Sequence, residues 1–281
     1  MSSETVTRIL LARKYFGFGD WLMLASAIKE LRAHYPNVEV DVDVTNVHGG
    51  NIICREALEL FDCGARLVTH PLTAGYHGRA AHVAYATRGE YHLIEHMVEH
   101  ILEQCPELDK AGWSLVTGMY SPRAAYIGPE VPYAMKERYV VMPAHGVLAT
   151  SSHKEWGVAN FGCLAEILKC DGYVIVQVGK AGDQRLRAAS DWFFQRPLAD
   201  LVGLIRGSAF VVSLENGLSH LAGHLQCPCA TLYLHPQLTR PVHTTYEQQM
   251  ALVNSEPALL SPGKVYEQIK EESIVLWGKS V

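Results

Sequence analysis

Three short segments carry the side chains that could bind or transform a small polar ligand. The richest is Ser213-Leu214-Glu215-Asn216-Gly217-Leu218-Ser219-His220-Leu221-Ala222-Gly223. An apolar strand-like run ends there, a glycine turns the chain, and a helical pattern follows. The backbone N–H groups at such a helix start suit a phosphate. Glu215 can accept hydrogen bonds from ribose or sugar hydroxyls, and His220 falls one turn into the helix. An isolated helical histidine is more often structural than catalytic; its grouping with Glu215, Asn216 and Gly217 is what gives it functional weight. The second segment, Thr150-Ser151-Ser152-His153-Lys154-Glu155-Trp156, places hydroxyls and a point positive charge just after a strand. Hydroxyls and Lys together can hold phosphate oxygens, although a solvated polar loop would have the same composition. The third is Gly17-Phe18-Gly19-Asp20. Its glycines let the backbone approach a ligand closely. Asp20 sits at the start of the helix, a position that helix N-capping alone would also explain. A further turn, Gln177-Val178-Gly179-Lys180-Ala181-Gly182-Asp183-Gln184, could border a nucleoside through Asp183 or be an ordinary surface turn.

The elements that must position these groups alternate along the chain. Thr7–Ala12 reads as a strand, a helical period runs from Asp20 to Tyr35 through Leu22, Ala25, Ala27, Ile28 and Leu31, and Val38–Val44 is a second strand. This strand–helix–strand run predicts a parallel, right-handed unit. Ala57–Phe61 is expected to be helical, Ala65–Thr69 a strand, and His92–Gln104 an amphipathic helix; the Gly-, Pro- and Tyr-rich stretch Gly112–Pro132 links two halves. Strands are then predicted at Arg138–Met142, Tyr173–Val178, Ala209–Leu214 and Ala230–Leu234. Helices are predicted at Asn160–Lys169, Leu198–Arg206, Leu218–Leu225 and Val265–Glu272. The pattern predicts an α/β protein of two Rossmann-like, doubly wound lobes, 1–135 and 136–281. Ligands in such folds bind at the carboxyl ends of strands, which puts the expected site in an inter-lobe cleft.

Composition excludes several classes of function. A net charge of −5 over 281 residues, with 11 Lys+Arg against 16 Asp+Glu in residues 1–135, argues against a general polyanion binder, though net charge does not describe a local patch in a cleft. The seven cysteines include no C-x-x-C pair, and Cys227-Pro228-Cys229 is too tight for a zinc knuckle; free thiols of a reducing cytoplasm are expected. The longest apolar runs are strand-length, so no transmembrane helix is expected. His92, His96 and His100 share one helical face, but two turns separate the outer pair, too far for one ion, and alongside Glu95, Glu99 and Glu103 they read as a solvated face. No metal site and no cofactor are expected.

Taken in order, the segments resemble the heptosyltransferase-like glycosyltransferases (glycosyltransferase family nine), which have the GT-B architecture. Gly17-Phe18-Gly19-Asp20 and the helix after it look like the family's opening G-D segment, Lys154-Glu155-Trp156 like its K-x-W, and Glu215-Asn216-Gly217-Leu218-Ser219-His220-Leu221-Ala222 like its D-[ST]-G-x-x-H-[LF]-A signature. Ser26 stands for a usual Pro, and Glu215 for a usual Asp, one methylene longer. The resemblance implies an inverting, metal-independent transfer from a nucleotide-diphosphate sugar to an acceptor hydroxyl. It makes Asp20 the catalytic base, flanked by the acceptor-side glycines Gly17 and Gly19. Lys154, Ser151, Ser152, Glu215, Asn216, Gly217 and His220 would hold the donor, and Asp183 would match a family acid near the nucleoside.

Two other readings remain open at this level. One is a catalytically inactive nucleotide-sugar binding module. The other is an NAD(P)-dependent Rossmann enzyme built on Gly17, Gly19 and Asp41 or Asp43, although Leu22 stands where the third fingerprint glycine belongs. The partners expected are a nucleotide-sugar donor and an acceptor hydroxyl on a saccharide or glycolipid, with a modified nucleobase as the outlier. The protein is expected to be a monomer or dimer in the cytoplasm, at most peripheral to a membrane.

Overall fold

The computed structural model describes residues 7–12, 17–44, 52–69, 79–82, 92–106, 108, 113, 120–133, 135–143, 155–180, 182–194, 196–234, 245–253 and 260–278. The chain divides into two compact units, Met1–Gly128 and Pro129–Val281.

The first unit is a parallel four-stranded sheet in the order β3-β2-β1-β4, built from β1 (Thr7–Ala12), β2 (Val38–Asp43), β3 (Arg66–Val68) and β4 (Arg79–His82). Helices α1 (Phe18–His34), α2 (Ile52–Glu59) and α3 (Leu93–Gln104) pack with it. Parallel pairing demands crossovers, and α1 provides the one between β1 and β2, which pair from Thr7 opposite Val38 onward. α1 is buried over most of its circumference, with Trp21 through Ala27, Ile28, Glu30 and Leu31 all inside. The single apolar stripe expected from the sequence therefore understates its burial. Glu30 is tolerated there because the Tyr120 hydroxyl donates to it at 2.7 Å and Arg123 pairs with it at 2.8 Å.

The second unit begins earlier than the expected boundary at 135/136. Residues 129–133 pack on its own helices and strands: Glu130 pairs with Arg206, the Val131 carbonyl abuts Gly203, and Tyr133 bonds Asp191. A Cβ on Gly203 would lie 1.7 Å from that carbonyl, so only glycine admits the passing chain.

Its sheet has six parallel strands in the order β10-β9-β8-β5-β6-β7, with β5 (Tyr139–Pro143), β6 (Val174–Gly179), β7 (Asp191–Phe194), β8 (Phe210–Leu214), β9 (Cys229–Tyr233) and β10 (Gln249–Val253). Counted within the unit this is the 3-2-1-4-5-6 order of doubly wound dinucleotide-type folds. The intervening helices are α4 (Val158–Cys170), α5 (Leu198–Gly207), α6 (Gly217–His224) and the closing α7 (Pro262–Trp277). On one face of the sheet Val140, Met142, Ile175, Phe210, Val212, Leu232 and Met250 pack against Phe161, Leu164 and Leu168 of α4 and Val265 and Ile269 of α7. Burying each of these larger side chains is worth about 1.5–3 kcal/mol relative to exposure. The strand order reverses between β5 and β8, which pair at Val140–Phe210 and Val141–Val211. The crevice outside the carboxyl ends of those two strands is where such a sheet receives a ligand.

Candidate functional site

The turn that leaves β8 is held almost entirely by its own side chains. Asn216 is the N-cap of α6, and its Oδ1 accepts the Leu218 N–H at 2.8 Å, the Ser219 N–H, and the Ser213 hydroxyl at 3.0 Å. In return Ser219 Oγ accepts the Asn216 N–H at 3.1 Å and donates to the Asn216 carbonyl at 2.8 Å. This reciprocal cap fixes the angle at which α6 leaves the sheet. It also engages the amides of Leu218 and Ser219, which narrows the expectation that the whole first turn is open to an anion. The cap uses the Leu218 and Ser219 amides and does not include the Gly217 N–H, the first of α6.

Behind this turn lies a buried polar chain. His220 Nδ1 is 2.8 Å from the Tyr246 hydroxyl, and His220 Nε2 is 3.4 Å from Glu215 Oε1. Side-chain exposure is 4% for His220 and 12% for Glu215, and Tyr246 is 1% exposed overall. Glu215, Asn216, Gly217 and His220 lie together around this turn. Tyr246 was not foreseen: it sits 26 residues downstream of His220 and belongs to no motif. The one local hint was Gly223, three residues past His220, where a Cβ would lie 2.1 Å from the Tyr246 ring.

β5 ends at Pro143, beside β8. Ser151, Ser152 and Lys154, on the connection that follows, lie outside the described residues. What is described is the anchor on their C-terminal side. Trp156 is 3% exposed, donates its indole N–H to the Leu260 carbonyl at 2.8 Å, and meets Phe161 edge-on at 5.0 Å. Gly157 then turns into α4 with φ of 86°, a left-handed conformation that favours glycine.

Asp183 stands on the connection from β6 to β7, two strands from β8. Its Oδ2 accepts the Lys180 N–H at 2.9 Å, closing a turn that also uses the positive φ of Gly182. It does not share the β8 turn with Glu215.

In the first unit α1 starts at Phe18, with Gly17 as its N-cap, so Asp20 is the third helical residue rather than the cap itself. Its Oδ2 reaches back to accept the Gly17 N–H at 2.8 Å. Gly19 is buried and Asp20 half-buried. Of the two carboxylates weighed for a nicotinamide ribose, Asp41 is buried under a two-pronged pairing with Arg66 at 2.8 Å, while Asp43 ends β2.

The histidine face of α3 is a correction. His92 is its N-cap, accepting the Ile94 N–H at Nδ1, and stacks on Tyr120 at 4.9 Å. His92, Glu95 and His96 are buried rather than solvated, and His100 is the more exposed of the three histidines. Among the described residues no group of three or more His, Cys, Asp or Glu side chains converges as a metal site. No described helix is long and apolar enough to cross a membrane.

Comparison with known proteins gives this arrangement a context. The profile of glycosyltransferase family 9 (heptosyltransferase) matches residues 65–266, a stretch that includes Lys154, Asp183 and Glu215–His220 and begins after Asp20. No curated protein sequence matches significantly. Among solved structures, the iron-containing dodecameric glycosyltransferase TibC of enterotoxigenic E. coli superposes with a TM-score of 0.69 at 13% identity, over 95% of this chain and 76% of TibC. The E. coli ADP-heptose lipopolysaccharide heptosyltransferase II gives 0.65 at 16% identity, over 93% of this chain and 97% of its own. A family 9 glycosyltransferase of Veillonella parvula gives 0.67 at 11% identity, over 97% and 98%. These likenesses show the fold, that of the GT-B glycosyltransferases. The profile match, which extends over well more than half of the sequence, shows that the chain belongs to glycosyltransferase family 9 and is a glycosyltransferase.

Proposed function

We propose that the protein transfers a sugar, with inversion and without a metal ion, from a nucleoside-diphosphate sugar to a hydroxyl of a saccharide or glycolipid. The observation that carries this reading is the Asn216-capped turn at the end of β8, beside β5, where the strand order reverses. Solved complexes of TibC with ADP-D-β-D-heptose and of the E. coli heptosyltransferase WaaC with ADP-2-deoxy-2-fluoro heptose support a donor of this class.

In the step proposed, the acceptor oxygen attacks the anomeric carbon while the bond from that carbon to the diphosphate oxygen breaks. The acceptor proton passes to the carboxylate of Asp20. The electron pair of the broken bond leaves with the diphosphate, whose added charge is met by Lys154, the Ser151 and Ser152 hydroxyls, the Gly217 N–H and the positive end of α6. Glu215 accepts hydrogen bonds from donor hydroxyls, and Asp183 borders the nucleoside. Because protein cations and dipoles are assigned the leaving-group charge, a chelator is expected to leave the rate unchanged. Free thiols at Cys63, Cys105, Cys163, Cys170, Cys227 and Cys229 support a reducing cytoplasm as the place of action.

The test is calorimetry with a panel of nucleotide sugars, run on the wild type and on Lys154→Met, with a parallel transfer assay. A donor present at 100 times its dissociation constant should stabilise the protein by about 2.7 kcal/mol. Lys154→Met is expected to weaken the donor about tenfold or more. Absence of saturable binding by every nucleotide sugar would overturn the reading, and so would binding indifferent to Lys154.

A further inference from the structure

The buried Tyr246–His220–Glu215 chain does more than fill space behind the β8 turn. A carboxylate only accepts hydrogen bonds, so the His220 nitrogen facing Glu215, Nε2, is the one that carries hydrogen. In neutral imidazole this leaves Nδ1 as an acceptor, and the Tyr246 hydroxyl 2.8 Å away donates to it. The chain therefore runs in one direction, from Tyr246 O–H through the ring to Glu215 Oε1. We propose that Tyr246 is a positioning residue of the glycosyltransferase: by donating to Nδ1 it holds the plane of His220 and, through the Nε2–H, the orientation of the Glu215 carboxylate.

Several contacts argue that Tyr246 is placed for this purpose and does not simply fall there. Its backbone is clamped by Gln249, whose Oε1 accepts the Tyr246 N–H at 3.3 Å and whose own N–H donates to the Tyr246 carbonyl at 2.9 Å. Gln249 Nε2 also bonds the Ser219 carbonyl, tying the turn to α6 itself. Gly223 leaves room for the ring, and the His224 ring meets it at 5.3 Å. The His224 ring is turned by its own bond, Nδ1 to the His220 carbonyl at 2.9 Å. At 3.4 Å the Nε2–H to Glu215 contact is an orienting polar contact longer than the commonest hydrogen-bond distance. Its value lies in holding a carboxylate that is one methylene longer than the family's usual aspartate and so has one more torsion to restrain.

This inference rests on the donor-site reading above, and its test separates the two. The variant is Tyr246→Phe, which keeps the ring against Gly223 and His224 and removes only the hydroxyl. The first readout needs no ligand: 15N chemical shifts of the His220 ring. Wild type is expected to show a protonated Nε2 and an unprotonated Nδ1 that accepts a hydrogen bond, and Tyr246→Phe a shifted Nδ1 resonance as that bond is lost. The second readout is transfer kinetics with the nucleotide sugar that the wild type uses. There kcat/KM is expected to fall about tenfold, the scale of one lost hydrogen bond, and Glu215→Gln is expected to make the Tyr246→Phe loss disappear. A purely structural tyrosine would lower the thermal midpoint and leave kcat/KM of the folded enzyme unchanged, which would overturn the proposal. Unchanged shifts would overturn it too. If the wild type shows the expected tautomer but binds no nucleotide sugar, the donor reading falls while the Tyr246–His220 coupling stands.

Discussion

Trp156 donates its indole N–H to the Leu260 carbonyl across 104 residues of sequence, at 2.8 Å. The bond ties the start of α4 to the start of α7, and Lys154 lies only two residues before the anchored ring. Trp156→Phe keeps most of the apolar burial and leaves the Leu260 carbonyl without this donor. The expected cost in stability is about 1–3 kcal/mol. The donor KM is expected to rise severalfold with kcat little changed, because the substitution loosens the segment that carries Lys154 and spares the reacting groups. Steady-state kinetics with varied donor, beside a urea melt, checks both.

Gly223→Ala tests the packing behind the β8 turn. The new Cβ would lie 2.1 Å from Cδ2 and 2.4 Å from Cγ of Tyr246, a ring with no room to retreat. Alanine's better helix propensity returns up to about 1 kcal/mol, while forced displacement of a packed ring costs about 1–3 kcal/mol. A thermal midpoint lowered by a few degrees is expected, together with the His220 Nδ1 shift predicted for Tyr246→Phe. An unchanged His220 spectrum would mean that the ring moves without carrying its hydroxyl away.

Burial pushes the Cys229 thiol from an ordinary 9.0 up to about 12, with a hydrogen bond to Thr231 acting the other way. At pH 8 a maleimide is therefore expected to label the exposed Cys163 and Cys170 and to spare Cys229 until the protein unfolds. The sign of the pH effect follows. Above pH 9 the unfolded state releases the thiol proton while the folded state keeps it. Stability from this group therefore falls by about 1.4 kcal/mol per pH unit until about pH 12. Tyr139, which burial pushes up to about 12 and whose hydroxyl bonds the Leu204 carbonyl, acts in the same direction from pH 10. Urea melts between pH 8 and 11 should show the decline, and Cys229→Ser should flatten it.

Much of this fold is legible because most of its strands are apolar or alternating runs broken by helical periods. Thr7–Ala12 and Val38–Asp43 could be read almost to the residue. Three strands could not. Arg79–His82 and Asp191–Phe194 are four residues long, and Gln249–Val253 opens on a buried glutamine, so none presents a β-branched run. The site divided along the same line. Residues adjacent in sequence, such as Glu215, Asn216, Gly217 and His220, could be grouped from their spacing. Tyr246 could not, since its role depends on which face of α6 carries Gly223. The histidines of α3 misled for a related reason. His92 caps the helix and stacks on Tyr120, and alternation with glutamates does not reveal that a neighbouring ring covers the face.

The most direct test concerns Asp20. Its Oδ2 bond to the Gly17 N–H survives in Asp20→Asn, because the carboxamide oxygen accepts equally well, so the helix start is expected to stay folded. Turnover and donor affinity should be measured together on this variant, the first by transfer assay and the second by calorimetry. The account predicts a dissociation constant within about threefold of wild type and a kcat lower by about 10²–10⁴, the contribution of a general base. Wild-type turnover by Asp20→Asn would contradict it and reduce Asp20 to a partner of the Gly17 amide.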